Sequence, residues 1–125
     1  MTNEIKMVAD WHAAFGVPVS SSISALTDKR FKLRERIMKE ELSELLYAME
    51  YGIPEQWAKE LCDLLYVVLG TAVELGIQNY IPQVFAAVHE SNMSKLDNDG
   101  KPVVRHDGKI LKGPNYKEPN IEFIY

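Results

Sequence analysis

The chain has 125 residues, of which 46% are apolar and 26% charged, with a formal net charge of −4. That is the size and mixture of one globular domain, taken here as residues 1–125. Its acidic balance does not suit nucleic-acid binding, which needs a basic surface to displace counterions. The lone cysteine, Cys62, cannot form an internal disulfide and is expected to be a small buried apolar residue. The N-terminus lacks the basic-then-apolar pattern of a signal peptide, and the longest apolar stretch falls far short of a membrane span. A soluble cytoplasmic protein with no membrane partner is expected.

A first helix is predicted over residues 4–15, where Ile5, Val8, Ala9, His12 and Phe15 recur at three- and four-residue steps before Gly16 and Pro18. Residues 17–26 are small and polar and read as a loop. A second helix is predicted over 28–51, with Thr27 as N-cap and Gly52 as its stop. Phe31, Arg34, Met38, Leu42, Leu45, Leu46 and Met49 make its expected buried face, with Arg34 at the margin. Pro54 suits the first turn of a third helix that runs to Leu75 and closes at Gly76. Its expected apolar stripe is Leu61, Leu64, Leu65, Val68 and Ala72. A connection of two or three residues makes the second and third helices antiparallel neighbours. A fourth helix is predicted over 81–94, with Pro82 in its first turn. From residue 96 the character changes: Lys101–Arg105 and Lys109–Lys112 flank His106-Asp107-Gly108 as a short hairpin, followed by a Pro-, Asn- and Lys-rich tail. The fold class is all-α, a four-helix bundle over about 4–95 with a short C-terminal β-hairpin and tail.

Two acidic segments organise this frame. Glu40-Glu41-Leu42-Ser43-Glu44 lies on the second helix and Glu60-Leu61-Cys62-Asp63 on the third. Glu41 and Glu44, like Glu60 and Asp63, are three apart, which stacks two carboxylates one turn apart on one face; Glu40 borders the first pair. Adjacent glutamates on a helix are commonly just a solvated face. Asp63, however, sits in a nearly all-apolar run, where an unpaired carboxylate is costly. Two such pairs on consecutive antiparallel helices face each other across a groove, and a shared cation would offset the charge. Mg²⁺ suits such a site, being hard and oxygen-preferring. On the fourth helix Asn92 and Lys95 extend an apolar stripe with polar groups. They suit either a phosphate or a frayed, solvated helix end.

Other chemistries lack their context. His106-Asp107 spells a phosphohydrolase pair but falls at a turn rather than on helices. His12, His89 and His106 are not at zinc spacing, and there is no Walker loop or Gly-x-Gly-x-x-Gly.

Glu-Glu-x-x-Glu followed by Glu-x-x-Asp resembles the signature of MazG-type all-α nucleoside triphosphate pyrophosphohydrolases. Ser91-Asn92-Met93-Ser94-Lys95 and the tail from Asp99-Gly100-Lys101-Pro102 to Lys112-Gly113-Pro114-Asn115-Tyr116 resemble the phosphoribosyl-ATP pyrophosphohydrolase-like branch. The resemblance covers about residues 5–116. It implies a Mg²⁺-dependent enzyme, with Mn²⁺ able to substitute, that hydrolyses an NTP or dNTP to the monophosphate and pyrophosphate. Glu41, Glu44, Glu60 and Asp63 would be metal ligands, with Glu40 holding a second ion or orienting the attacking water and Glu40 and Glu41 in catalytic roles. Asn92 and Lys95 would contact phosphate, with Lys112, Tyr116 and Lys109 as further candidates from the tail. Trp11, His12 and Phe15 are candidates for stacking on or hydrogen-bonding a base, or for ordinary core packing. The resemblance also implies a homodimer or homotetramer. A non-catalytic metal- or nucleotide-binding module would use the same helices, and phosphate release with and without Mg²⁺ separates the two.

Overall fold

The computed structural model describes residues 1–124. Among these, the regular elements are helices α1 (Thr2–Phe15), α2 (Asp28–Tyr51), α3 (Pro54–Leu75) and α4 (Ile81–Met93), strands β1 (Val103–Val104) and β2 (Ile110–Leu111), and 3₁₀ turns at Gln78–Tyr80 and Glu122–Ile124. The fold is all-α with a small hairpin. The chain divides into two compact units, Met1–Asn79 and the remainder from Tyr80 onward.

In the first unit α3 is the helix against which both α1 and α2 pack. The second helix starts where Thr27 accepts a hydrogen bond from the Arg30 backbone N–H at 3.2 Å, which satisfies a donor the first turn leaves free. Only Gly52 and Ile53 separate it from α3. The Ile53 N–H donates to Gln56 Oε1 at 3.0 Å, and Pro54 opens α3 where no N–H is needed. This short turn folds α2 back on α3 and brings the two acidic segments together. The loop from 17 to 26 is pinned to the far end of α3: Ser20 N–H donates to Val73 O at 3.1 Å and Ser24 N–H to Leu75 O at 3.0 Å. Gly76 closes α3 in the left-handed region at φ 74°, with the Ser22 carbonyl packed where a Cβ would lie, so two constraints select glycine there.

The apolar core consists of Ile5 and Val8 of α1, Leu45 and Ala48 of α2, and Leu69, Ala72 and Val73 of α3. Much of the predicted buried face of α2 is therefore corrected. Leu45 and Arg34 are buried and Met38 is half-buried, but Phe31, Leu42, Leu46 and Met49 are exposed. On α3, Ala72 is buried and Leu64 half-buried, while Leu61, Leu65 and Val68 are exposed. Cys62 is exposed rather than buried. Both helices are apolar over a wider arc than one neighbouring helix covers, and periodicity records apolarity without recording what covers it.

In the second unit the side chain of Asp97 organises the turn after α4, its Oδ1 accepting from the N–H groups of Asp99 and Lys101 at 2.9 and 2.8 Å. The hairpin pairs Val103 with Leu111 and Val104 with Ile110. Its strands are shorter than the sequence suggests, and just before the first of them Pro102 lacks a donor. His106 and Asp107 lie at the turn, where Arg105 grips Asp107 through Nε at 2.9 Å and Nη2 at 2.6 Å. The tail is tied to α4 by Ser91 Oγ donating to Lys117 O at 2.7 Å and Lys117 N–H donating to Ser94 Oγ at 2.9 Å.

Candidate metal centre

The three-residue spacing on α2 and α3 has the consequence expected of it. One carboxylate oxygen from each of Glu41, Glu44, Glu60 and Asp63 lies within 4.8 Å of the others. Glu44 is exposed and the other three are half-buried. Glu41 Oε2 and Glu60 Oε2 are both removed from solvent and have no hydrogen-bond partner among the described residues. Burial pushes the Glu41 carboxyl above its ordinary value, and the neighbouring Glu44, Asp63 and Glu60 carboxylates push it the same way. Four acids crowded this closely, two of them with orphaned inward oxygens, are destabilising as a bare cluster. They form a donor set that fits a hard divalent cation.

One protein cation already leans on the site. Lys59 Nζ lies 2.8 Å from Asp63 Oδ2 and 3.4 Å from Glu60 Oε1. These contacts push its ammonium up to about 12. Its side chain stays 66% exposed, so it sits at the lip and leaves the inward oxygens of Glu41 and Glu60 untouched. The sequence carried a signal for this contact, since Lys59 precedes Asp63 by four residues.

Glu40 stands apart from the other acids. It is exposed and lines a shallow surface with Glu35, Lys39 and Glu44, outside the group of four. His12 occupies the core rather than an open face. It is 2% exposed, with Nδ1 donating to Pro18 O at 3.0 Å and Nε2 accepting from Arg34 at 3.4 Å. Its neighbours Trp11 and Phe15 are exposed and stacked, with ring centroids 4.7 Å apart, and Trp11 meets Tyr66 edge-on at 6.2 Å. Tyr66 follows Asp63 by one helical turn, so an aromatic surface begins where the acidic cluster ends; the i+3 spacing from Asp63 was the signal for it. On another flank a cavity of about 450 Å³ is bounded by Glu44, Glu60, Gln56 and the exposed pair Tyr47 and Tyr51. Sequence periodicity did not single out either tyrosine.

The remaining candidates belong to the second unit. Asn92 is exposed; Lys95 is half-buried, and its carbonyl accepts from Gly113 N–H at 3.0 Å. Lys112 holds its ammonium 4.6 Å from the centre of the Tyr116 ring and 3.9 Å from Glu118, which brings these two tail candidates together. Lys109 is exposed.

A helical fold with Glu-x-x-Glu and Glu-x-x-Asp facing each other on antiparallel helices defines the class, the all-α nucleotide pyrophosphohydrolases. The family model described as phosphoribosyl-ATP pyrophosphohydrolase matches residues 8–92, and the chain belongs to that family. The match contains all four clustered acids and ends before Lys95, the hairpin and the tail. A search of curated proteins gives no match. The protein is accordingly a pyrophosphohydrolase that acts on a nucleotide-like substrate.

Proposed function

We propose that the chain is a Mg²⁺-dependent nucleoside triphosphate pyrophosphohydrolase, releasing the monophosphate and pyrophosphate. The observation that carries this is the convergence of the four carboxylates within 4.8 Å, with Glu41 Oε2 and Glu60 Oε2 buried and without a partner among the described residues. Glu41, Glu44, Glu60 and Asp63 hold the ion, and Mn²⁺ substitutes for Mg²⁺ because both accept oxygen donors. When bound, the ion supplies charge neutralisation at phosphate oxygens and a water of lowered pKa. Glu40, exposed beside Glu44, orients the attacking water or contributes to a second ion. Glu41, whose carboxyl burial and the neighbouring carboxylates push above its ordinary value, is the other acid assigned a catalytic role.

Trp11, Phe15 and Tyr66 provide the stacking surface for the base. His12 supports that surface from the core, beside Trp11 at a centroid distance of 5.8 Å. Asn92 and Lys95, with Lys112 and Tyr116, bind phosphate. The exposed apolar residues Phe31, Leu42, Leu46, Met49, Leu61 and Leu65 support assembly into a homodimer or homotetramer, since a monomer rarely leaves so much apolar surface open.

The test is a substrate panel of canonical and deoxynucleoside triphosphates together with phosphoribosyl-ATP, assayed with Mg²⁺, with Mn²⁺ and in chelator. Pyrophosphate and a monophosphate in equal amounts, lost in chelator, are expected. Stepwise release of single phosphates or full activity in chelator would overturn the assignment. Ion binding without turnover on any substrate would make the chain a binding module.

A further inference from the structure

Arg34 lies seven residues before Glu41 on α2, and Gly70 lies seven residues after Asp63 on α3. Seven residues are about two helical turns, roughly 10 Å of helix. The helices are antiparallel, so the meeting of Arg34 with Gly70 and the meeting of Glu41 with Asp63 are one register seen at two points.

The Arg34 guanidinium fills the notch that Gly70 leaves. A Cβ at position 70 would come 2.7 Å from His12 Nε2 and 3.0 Å from Arg34 Nη1. Neither group is free to retreat. Arg34 donates through Nε to Glu74, through Nη1 to Val67 O at 3.3 Å and through Nη2 to His12 Nε2 at 3.4 Å. His12 is held in turn by Pro18 O at 3.0 Å. Arg30 grips Glu74 through Nε and Nη2, both at 2.8 Å. His12, Arg34 and Glu74 are 2%, 5% and 3% exposed. The apolar residues buried on these two helices are few and mostly small: Leu45, Ala48, Leu69, Ala72 and Val73. Contacts of that kind are non-directional and tolerate sliding, whereas a guanidinium with three fixed acceptors does not.

We infer that Arg34, Gly70, Glu74 and His12 form a register key that positions the acidic centre two turns away. They are positioning residues that touch neither ion nor substrate. The inference rests on the reading of the acidic cluster as a divalent-ion site. It differs from a purely stabilising role, because a buried ion pair can often be replaced by apolar side chains of similar volume without loss of stability. The fold should then survive the loss of the key while the placement of the carboxylates does not.

Three proteins decide it: the parent, Gly70→Ala, and the double variant Arg34→Met/Glu74→Leu. Mn²⁺ dissociation constants are measured by electron paramagnetic resonance well below each protein's melting temperature. Crystal structures of the metal-free proteins report the carboxylate positions. The parent should bind Mn²⁺. Both variants should melt cooperatively, bind it about tenfold or more weakly, the scale seen when support around a metal site is lost, and show the four carboxylates spread beyond the parental cluster. A folded double variant with parental Mn²⁺ affinity and an unmoved cluster overturns the inference. If the double variant does not fold, Gly70→Ala decides by the same two measurements. If the parent binds no Mn²⁺, the metal-site reading fails separately, and the crystal structures alone judge the key: carboxylates unmoved in a folded variant reject it, and displaced carboxylates uphold it.

Discussion

At one end of the α2–α3 seam Arg34 and Glu74 are almost fully buried, and Nε, Nη1 and Nη2 of Arg34 each have an acceptor. Two turns along the same seam, Glu41 and Glu60 each keep a buried oxygen with no partner among the described residues, and Lys59 is in contact at the rim. Both regions place charge where solvent is scarce. In the first, opposite charges and hydrogen bonds satisfy one another within the chain; in the second, like charges stand together. Buried charge is therefore not by itself a sign of function, and an internal partner of opposite charge is what marks a fastening.

The largest expected effect lies at the fastened end. Glu74→Ala leaves the Arg34 guanidinium buried and unpaired, and should lower stability by about 3–5 kcal/mol, measured by urea unfolding in chelator. A loss under 1 kcal/mol would mean that the two regions do not differ in the way described. The matching change at the open end should behave in reverse. Asp63→Asn should cut turnover by roughly a hundredfold or more, as when a group stabilising developing charge is removed, yet melt no lower than the parent in chelator because one like charge has gone. Only the parent should gain from Mg²⁺, by about 2.7 kcal/mol at a hundred times its Kd. If Asp63→Asn melts well below the parent in chelator, Asp63 is fastened too.

pH should resolve the two regions by sign. Burial pushes the Glu74 carboxyl up, but its hydrogen bonds and charge contacts with Arg30 and Arg34 outweigh this and hold it below the ordinary 4.5. Its contribution is therefore fully present above 4.5 and is lost as pH falls through the depressed value. Glu41 is held above 4.5, so in chelator its contribution favours the fold at low pH and is lost as pH rises through the raised value. Melting curves in chelator between pH 3 and 7 should show Glu41→Gln removing part of the fall in stability above pH 4.5 while leaving the acid limb unchanged. The smallest effect is expected at Lys59. Lys59→Ala removes a rim cation that competes with the ion, so Mg²⁺ affinity should rise by a small factor, read by titration calorimetry. A large loss of affinity would instead make Lys59 part of the centre.

The helices and their ends were legible because local chemistry marks them: Thr27, Gly52, Pro54 and Gly76 each act on the residues beside them. The acidic quartet was legible because an i, i+3 pair on each of two helices joined by a two-residue turn can face only a limited set of partners. The role of Glu74 was not legible, since Arg30 and Arg34 lie 44 and 40 residues away from it and no local pattern couples them. For the same reason the sequence left His12 open between core packing and base contact, because its partners Pro18 O and Arg34 come from outside its own helix. The exposure of Leu42, Leu46, Leu61 and Cys62 was also hidden, because a side chain's apolarity does not say how many neighbours the chain brings to it.

The two-residue turn at Gly52–Ile53 also bears on the order in which the seam forms. The four acids fall within residues 41–63, so bringing them together closes a short stretch of chain at little entropic expense. The Arg30–Glu74 and Arg34–Glu74 contacts close loops of 44 and 40 residues and must wait for the far end of α3. During synthesis the four acids emerge before Glu74, which would let the repelling carboxylates approach before Glu74 can fasten the helices. A divalent ion present at that moment would favour the helical hairpin early and so act on the rate of folding. The Arg34–Glu74 contacts, formed late, would act mainly by slowing unfolding.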